Sequence, residues 1–450
     1  SLCWGDIDND GDNDLFIGGA ANLPSQLYIN NNGKLKLSDS SGLNKHVKPE
    51  ITCCIFFDVD SDNDLDLVVG SGSNEFPIDD SAYIDHLYLN DGKGKFVLSS
   101  NYKAPSKPTS SLSTIDINND GNLDIIVGGS SVAGSYPLSE KTYVMLNKGN
   151  GNFVPIYNKS LNSTKLPNDI KVGDIDNDGN NEIIIACEWG PIRIYKNSDN
   201  GLQEITTDLK LDSRTGWWNS INLNDFDNDG DLDILATNFG YNTKYKASIS
   251  KPELLYFSDF DESGNFDIVE AKYEGDSLVP RRGFSCSQLA MPFIKDKMKT
   301  FHNFASSNLS EIYSTTSISS ATKYEINTLE SGVFINEKTQ FKFIKLPPEA
   351  QIAPSFASAV TDINEDGILD IVLAQNFYGA QRETGRMDGG LSLILLGNGD
   401  CSFLSMAHRD SGIHILGDTR KVQSLDLNND GSHELIFGLN NGPLLIYSRQ

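Results

Sequence analysis

Asp225-Phe226-Asp227-Asn228-Asp229-Gly230-Asp231-Leu232-Asp233 runs straight into Ile234-Leu235-Ala236. Carboxylates stand at positions 1, 3, 5 and 9 of this loop, and a glycine follows the third. A hard divalent cation such as Ca2+ takes about six to eight oxygen ligands, and alternate residues of a curled loop turn their side chains inward to supply them. Glycine at position 6 permits the bend, because positive φ costs it no Cβ clash. The backbone carbonyl of position 7 would complete the shell. An EF-hand loop opens in the same way but ends on an acid at position 12, between two helices. Here the last acid comes at position 9 and an apolar, β-branched run follows. The stretch predicts a calcium loop inside a β-hairpin.

The same pattern recurs along the chain. It is written as Asp6, Asp8, Asp10, Asp14; as Asp58, Asp60, Asp62, Asp66; as Asp116, Asn118, Asp120, Asp124; and as Asp174, Asp176, Asp178, Glu182. After Asp225, Asp227, Asp229 and Asp233 it returns as Asp259, Asp261, Ser263, Asp267; as Asp362, Asn364, Asp366, Asp370; and as Asp426, Asn428, Asp430, Glu434. The substitutions keep an oxygen at each place. Asn63 replaces the glycine in the second copy and tolerates the left-handed bend better than most residues. One match could be a metal-free turn; eight in register predict several bound Ca2+ ions, about one per repeat.

Loop starts at 6, 58, 116, 174 and 225 are 52, 58, 58 and 51 residues apart. Each period reads as strand, loop, strand, variable loop, strand, Gly/Asn turn, strand, as in Gln26–Asn30 and Lys34–Ser38 across Asn31-Asn32-Gly33. Four short antiparallel strands in such a period describe a β-propeller blade, and ring closure removes exposed sheet edges. The fold expected is all-β, one propeller domain over residues 1–450 with seven four-stranded blades. Eight blades stay open if 254–347 is a complete one. The loop at 259 starts only 34 residues after its predecessor, which places it in the last hairpin of the fifth blade. Residues 274–330 read as an insertion, with an amphipathic helix over Met291–Ser314 carried by Phe293, Ile294, Met298, Phe301, Phe304 and Leu309. Its apolar face would cover the propeller's side or dock a partner. The last blade shows three strands, and its fourth is expected from upstream of Ser1.

The net charge is −26, with the acid concentrated in the loops. This argues against nucleic-acid or anionic-membrane binding, which needs a basic patch. No apolar run of about 20 residues offers a transmembrane segment. The chain opens at Ser1-Leu2-Cys3-Trp4 already inside a strand, so the absence of a leader says nothing about secretion. Calcium at these ligand counts needs micromolar to millimolar free ion, which predicts an extracellular, cell-surface or periplasmic setting. Cys3, Cys53, Cys54, Cys187, Cys286 and Cys401 lack CxxC spacing and read as buried thiols, with one or two disulfides as the alternative. His46, His86, His302, His408, His414 and His433 lack metal-ligand spacing, and no GxSxG, HExxH or phosphate loop is present.

These loops resemble the FG-GAP/VCBS repeats of integrin α-subunit propellers and of bacterial surface proteins, whose core is Asp-x-Asp-x-Asp-Gly-x-x-Asp leading into a run such as Asp14-Leu15-Phe16-Ile17-Gly18-Gly19. Thr215-Gly216-Trp217-Trp218-Asn219, Tyr245-Lys246-Ala247-Ser248 and Leu346-Pro347-Pro348-Glu349-Ala350 look like the VCBS propellers that accompany ASPIC/UnbV domains. No ASPIC/UnbV segment is visible, and the resemblance implies a longer chain or a surface complex. It also implies that calcium loops brace one face and that ligands meet the opposite face. Family members are mostly adhesion or recognition modules, and a minority of calcium propellers with other motifs are polysaccharide lyases.

Loops joining second and third strands should emerge on that opposite face: 74–85, 130–141, 188–190, 239–251 and 376–390. With the segment at Trp217 they offer Tyr136, Trp189, Trp217, Tyr241, Tyr245, Phe377 and Tyr378 beside Arg382 and Arg386. Aromatics with arginine suit sugar stacking or peptide anchoring; Trp217 and Trp218 could equally pack between blades. The function expected is non-enzymatic recognition or adhesion, with a protein or glycan ligand. The alternatives are a structural subunit of a surface assembly, or a calcium-dependent lyase with Arg281 or Arg282 as base.

Overall fold

Short β-branched runs, buried throughout in second strands such as Asp66–Gly72 and Asp233–Thr237 and only in part in first and fourth strands, make each period one antiparallel sheet. The structure is a computed structural model, and it describes residues 1–39, 41–43, 47–198, 201–382 and 384–449. His46 lies outside the described residues. The first sheet comprises Leu2–Gly5, Asp14–Ile17, Gln26–Ile29 and Lys36–Leu37, paired in chain order. The second (Glu50–Phe57 to Val97–Leu98), third (Thr109–Ile115 to Phe153–Ile156) and sixth (Ser355–Thr361 to Phe403–Ser405) repeat this order. The fourth runs from Pro167–Gly173 to Gln203–Glu204, with Gly216–Trp217 added to the end of its long second strand, Glu182–Gly190. The seventh has three strands, Thr419–Leu425, Glu434–Leu439 and Leu444–Tyr447.

The fifth sheet is interrupted. Ser220–Asn224 and Asp233–Thr237 pair with Gly332–Asn336 and Phe341–Lys345, nearly a hundred residues later. Between them Glu253–Ser258, Asp267–Glu274, Ser277–Pro280 and Thr322–Ile326 form a four-stranded sheet of their own. The loop at 259 therefore joins two strands of this inserted sheet and does not belong to the last hairpin of the fifth. The helical part lies at 284–320, inside the stretch read as insertion, while the sheet that it packs on begins at Glu253.

The single helix over Met291–Ser314 is not observed. Five short helices replace it: Phe284–Ala290, Phe293–Met298, Phe301–Ser306, Leu309–Tyr313 and Thr315–Ser320. Pro292 starts a new turn, Lys299 adopts a left-handed φ of 64°, and Thr300, Asn308 and Ser314 each cap the helix that follows. Capping residues inside an apolar periodicity break the helix while keeping its apolar positions on one side. Phe284, Ile294, Met298, Phe304, Leu309 and Ile312 pack on Leu254, Tyr256, Val269 and Ala271, so they cover the inserted sheet.

The core is divided into clusters between neighbouring sheets. Phe16, Leu27, Leu67 and Tyr88 fill the space between the first and second, and Phe57, Val68, Ile125 and Met145 that between the second and third. Adjacent Cys53 and Cys54 project to opposite faces of one strand and join different clusters. All six cysteines carry free thiols, with Cys286 exposed.

First strands lie side by side, from Leu2–Gly5 against Glu50–Phe57 through to Ser355–Thr361 against Thr419–Leu425. A second link runs round the loop end. The asparagine closing a third strand donates its Nδ2 proton to the position-2 carbonyl of the preceding sheet's acidic loop. Asn90 reaches Ile7 at 2.7 Å, Asn147 reaches Val59 at 3.0 Å, Asn197 reaches Ile117 at 2.6 Å and Asn336 reaches Ile175 at 2.7 Å. Asn30 of the first sheet reaches Leu427 of the seventh at 2.8 Å and so joins the two ends; the sixth and seventh sheets have Gly397 and Ser448 at this place and are linked to their predecessors through the first strands.

Acidic loops and an aromatic cavity

The acidic loops divide their carboxylates between holding the chain and facing inward. At position 1, Asp6 accepts the N–H of Asp10 and of Gly11, and Asp225 accepts those of Asp229 and Gly230. Position 9 is a latch. Asp14 accepts the N–H of Ile7 at 3.1 Å and of Asn30 at 2.7 Å, and Asp66, Asp124, Asp233 and Asp370 each bind position 2 and the end of the third strand likewise. Glu182, Asp267 and Glu434 keep the position-2 contact. The glycines at position 6 have φ between 85° and 93°, as Gly367 and Gly11 mark, and Asn63 has 69°. Position 4 is left-handed too, at Asn9, Ser61, Asn119, Asn177, Asn228, Glu262, Glu365 and Asn429.

Position 3 supplies the test of fit for a cation. Asp8, Asp60 and Asp227 each keep one buried carboxylate oxygen without a hydrogen-bond partner. Burial, and then the acids at positions 1 and 5, push all three carboxyls above their ordinary range. Ligand oxygens of Asp6, Asp8 and Asp10 lie within 4.8 Å of one another, as do those of Asp58, Asp60 and Asp62 and of Asp225, Asp227 and Asp229. Unsatisfied oxygens of like charge turned to one point match a hard divalent ion. In the third and sixth loops Asn118 and Asn364 donate to Asp120 and Asp366 at 3.0 and 2.8 Å. In the fourth, the Lys196 ammonium contacts Asp176, Asp178 at 2.7 Å and Glu182 at 3.8 Å. The aligned third-strand positions in the first, second, third, fifth and sixth sheets are apolar: Ile29, Leu89, Leu146, Ile335 and Leu396.

At the other end of the first strands lies a cavity of about 640 Å³. Its floor includes Thr52, Ser110, Asn168, Phe356 and Lys421, each near the start of a first strand. Its walls come from the loops after second strands and from the inserted sheet, which presents Leu255, Ile268 and Glu270, with Arg282 just beyond its third strand. Trp189 sits in a left-handed conformation, φ 56°, where the register shifts between Glu188 and Gly190. A bulky residue held there is a costly conformation maintained by its surroundings. Its indole N–H donates to Tyr136 Oη at 2.5 Å, and that phenol donates to the Glu188 carboxylate. Tyr245 donates to Glu270 at 2.7 Å and carries the Arg281 guanidinium 4.6 Å above its ring. Burial raises the Tyr136 phenol and the Glu188 carboxyl above their usual ranges. Trp217 packs edge-on to Trp189 at 5.0 Å and to Tyr245 at 4.6 Å.

A family model described as an FG-GAP-like repeat matches residues 6–69, 58–127, 132–185 and 174–236, together just over half of the chain. The chain belongs to the FG-GAP-like repeat family. Three of the four FG-GAP-like matches begin on position 1 of a loop, at Asp6, Asp58 and Asp174, and run into the second strand of the next sheet. The sequence repeat is thus staggered against the sheet. No curated protein sequence matches the chain. Among solved structures it is similar to a chain in the crystal structure of BBS1N in complex with ARL6DN, with TM-score 0.45, 11% identity, and coverage of 99% of this chain and 90% of that one. It is also similar to the V. cholerae biofilm matrix protein Bap1, with TM-score 0.41, 10% identity, and coverage of 99% and 87%.

Of the residues expected on the opposite face of this FG-GAP-like chain, Tyr136, Trp189, Trp217, Tyr245 and Phe377 line the cavity. Tyr241, Tyr378, Arg382 and Arg386 do not line it: the Tyr241 hydroxyl turns to Glu330 at 2.8 Å, and Arg386 stacks on Tyr378 at 4.6 Å. Trp218 is fully buried between the fourth and fifth sheets. Arg281 is sequestered in a buried ion pair with Glu253, whereas Arg282 reaches the cavity and faces Glu270 at 3.6 Å. Glu188, Phe239 and Lys244 lie on the loops expected at this face, at 188–190 and 239–251, whereas Glu270, Phe356, Arg420 and Lys421 join the lining from outside them. Lys421 and Phe356 lie in first strands, whose alternation signals only a half-buried strand. Among the described residues no helix is long and apolar enough to cross a membrane.

Proposed function

We propose that the chain is a seven-bladed, calcium-braced propeller that acts as an extracellular recognition module, without catalysis, and takes a glycan or protein ligand in the cavity opposite the acidic loops. The observation that carries this is the division of labour between the two ends. At one end, unsatisfied carboxylate oxygens of Asp8, Asp60 and Asp227 call for a cation. At the other, an open cavity gathers aromatic and cationic side chains. In these loops Ca2+ would be held by positions 1, 3, 5 and 9 and would neutralise their mutual repulsion. The need for abundant free calcium supports a cell-surface, secreted or periplasmic location. The cavity's Tyr136 and Tyr245 hydroxyls are engaged by Glu188 and Glu270, and Arg281 is held by Glu253, which suits fixed recognition groups better than a lyase base.

The test is thermal unfolding in millimolar calcium, in excess chelator and in magnesium. Binding to the folded state alone adds about 2.7 kcal/mol per site at a hundredfold excess over Kd. A calcium-specific rise of many degrees is expected. Identical melting in all three buffers overturns the calcium reading and the location drawn from it.

A further inference from the structure

We propose that the ligand of this cavity is an acidic oligosaccharide, a short run of uronic-acid or sulfated sugars; this rests on the recognition reading above. The chain carries 62 acidic against 36 basic residues, yet the cavity lining reverses that balance, with Lys244, Arg282, Arg420 and Lys421 against Glu188 and Glu270. Neither carboxylate is idle. Glu188 is held by Tyr136, and Glu270 by Tyr245 and Arg282. Arg420 is tied to Asp418 at 2.7 Å and stacked 3.8 Å over Phe356. Lys244 and Lys421 are exposed and have no carboxylate partner among the described residues. Two ammonium groups without a carboxylate line this cavity, Lys244 lying 5.1 Å over the Tyr245 ring, and in so acidic a molecule they repel a polyanion less than the rest of the surface does and attract an anion that enters.

The cavity lining is also aromatic. Phe239, Phe356 and Phe377 form a half-buried series of mutually inclined rings, with Phe377 5.9 Å from Phe239 and 5.5 Å from Phe356, and the apolar faces that Arg420 leaves uncovered can accept pyranose rings. Asn168, Asn219 and Gln381 add amides that both donate and accept, as hydroxyl-rich ligands require. An acidic peptide offers carboxylates but no succession of flat rings, and a neutral glycan leaves the lysines unanswered.

The full chain, loaded with calcium and freed of excess ion, is titrated calorimetrically with hexagalacturonate, hexaguluronate and a heparin hexasaccharide. Maltohexaose and cellohexaose serve as neutral controls and hexaglutamate as the acidic peptide. At least one acidic hexasaccharide should bind, and a Lys244→Ala/Lys421→Ala double variant should weaken it about tenfold or more. Both lysines are exposed, so the variant's melting temperature, measured alongside, should match the parent's. Phe377→Ala should weaken the same probe. Binding of neutral hexasaccharides as tight as that of acidic ones, and lost in Phe377→Ala, overturns the acidic class but leaves the cavity as a recognition site. Binding of hexaglutamate alone, or of no probe, overturns the proposal. Acidic binding indifferent to all three substitutions places the ligand elsewhere and overturns both readings.

Discussion

Asp85 is buried between the second and third sheets, and among the described residues no cation pairs with it. Its carboxylate accepts the Ser71 N–H at 2.8 Å and the Thr109 hydroxyl at 2.9 Å. Burial outweighs these two bonds and pushes its carboxyl from 3.8 up to about 7. In the unfolded chain the group ionises near pH 4, so between about pH 4 and 7 the folded state holds a proton that the unfolded state has lost. Its contribution to stability is complete below the unfolded value and is lost as the pH rises through about 7. Each pK unit corresponds to about 1.36 kcal/mol, so at most about 4 kcal/mol is at stake. In Asp85→Asn the amide oxygen can accept from Ser71 and the amide nitrogen can donate to Thr109 Oγ, with no charge to bury. The variant should gain on the parent steadily as the pH rises from 5 to 7, by at most about 3 kcal/mol, and the gain should level off by pH 8. Urea midpoints of both proteins at pH 5, 6, 7 and 8, in saturating calcium, measure the difference; the other carboxylates cancel in the comparison. A difference that does not change with pH would refute the assignment of a buried, protonated Asp85.

Trp218, fully buried and packed edge-on against Phe334 and Phe343, should cost about 3–5 kcal/mol when replaced by alanine, read as a lower urea midpoint. Asp66→Ala should lower the melting temperature even in excess chelator, because it strands the buried N–H of Val59, at about 1–3 kcal/mol, and the half-buried N–H of Asn90; a loss seen only with calcium would refute the latch. Lys196→Met removes the ammonium from the fourth loop, so equilibrium dialysis should count one more bound calcium in the variant, and an unchanged count would show that the lysine swings aside.

Periodicity made the repeated sheets legible, because short apolar strands around an acidic loop that returns every 51 to 58 residues from Asp6 to Asp225 admit few other folds. The interrupted fifth sheet was harder to see. Asp233–Thr237 and Gly332–Asn336 pair across an insertion, and no local signal tells a strand that its partner is so far along the chain. The broken helix misled because Phe293, Met298, Phe304 and Leu309 keep an apolar spacing while Pro292, Thr300, Asn308 and Ser314 reset the backbone between them. Among the loops, the ligand pattern was visible but the double duty of position 9 was not, since a carboxylate that latches a strand and one that faces an ion look alike in sequence. Asparagine or serine at most position 4 residues was the available sign of a second left-handed bend. On the opposite face the large aromatics stood out, whereas Lys244 and Lys421 acquire meaning only once the fold brings residues of different sheets to one cavity.

The asparagine contacts also set an order of events during synthesis. Each asparagine reaches back to a loop already made, so Asn90 can engage Ile7, and Asn147 can engage Val59, as soon as its own strand has emerged. Asn30 alone reaches forward, to a carbonyl 397 residues away. A chain leaving the ribosome N-terminus first can therefore complete its neighbouring contacts one by one, while the earliest sheet keeps an amide and a sheet face waiting for the last. Until Leu427 arrives, these seven sheets are an open arc with two unmatched ends, and of the seven it is the first whose face waits longest among stray partners.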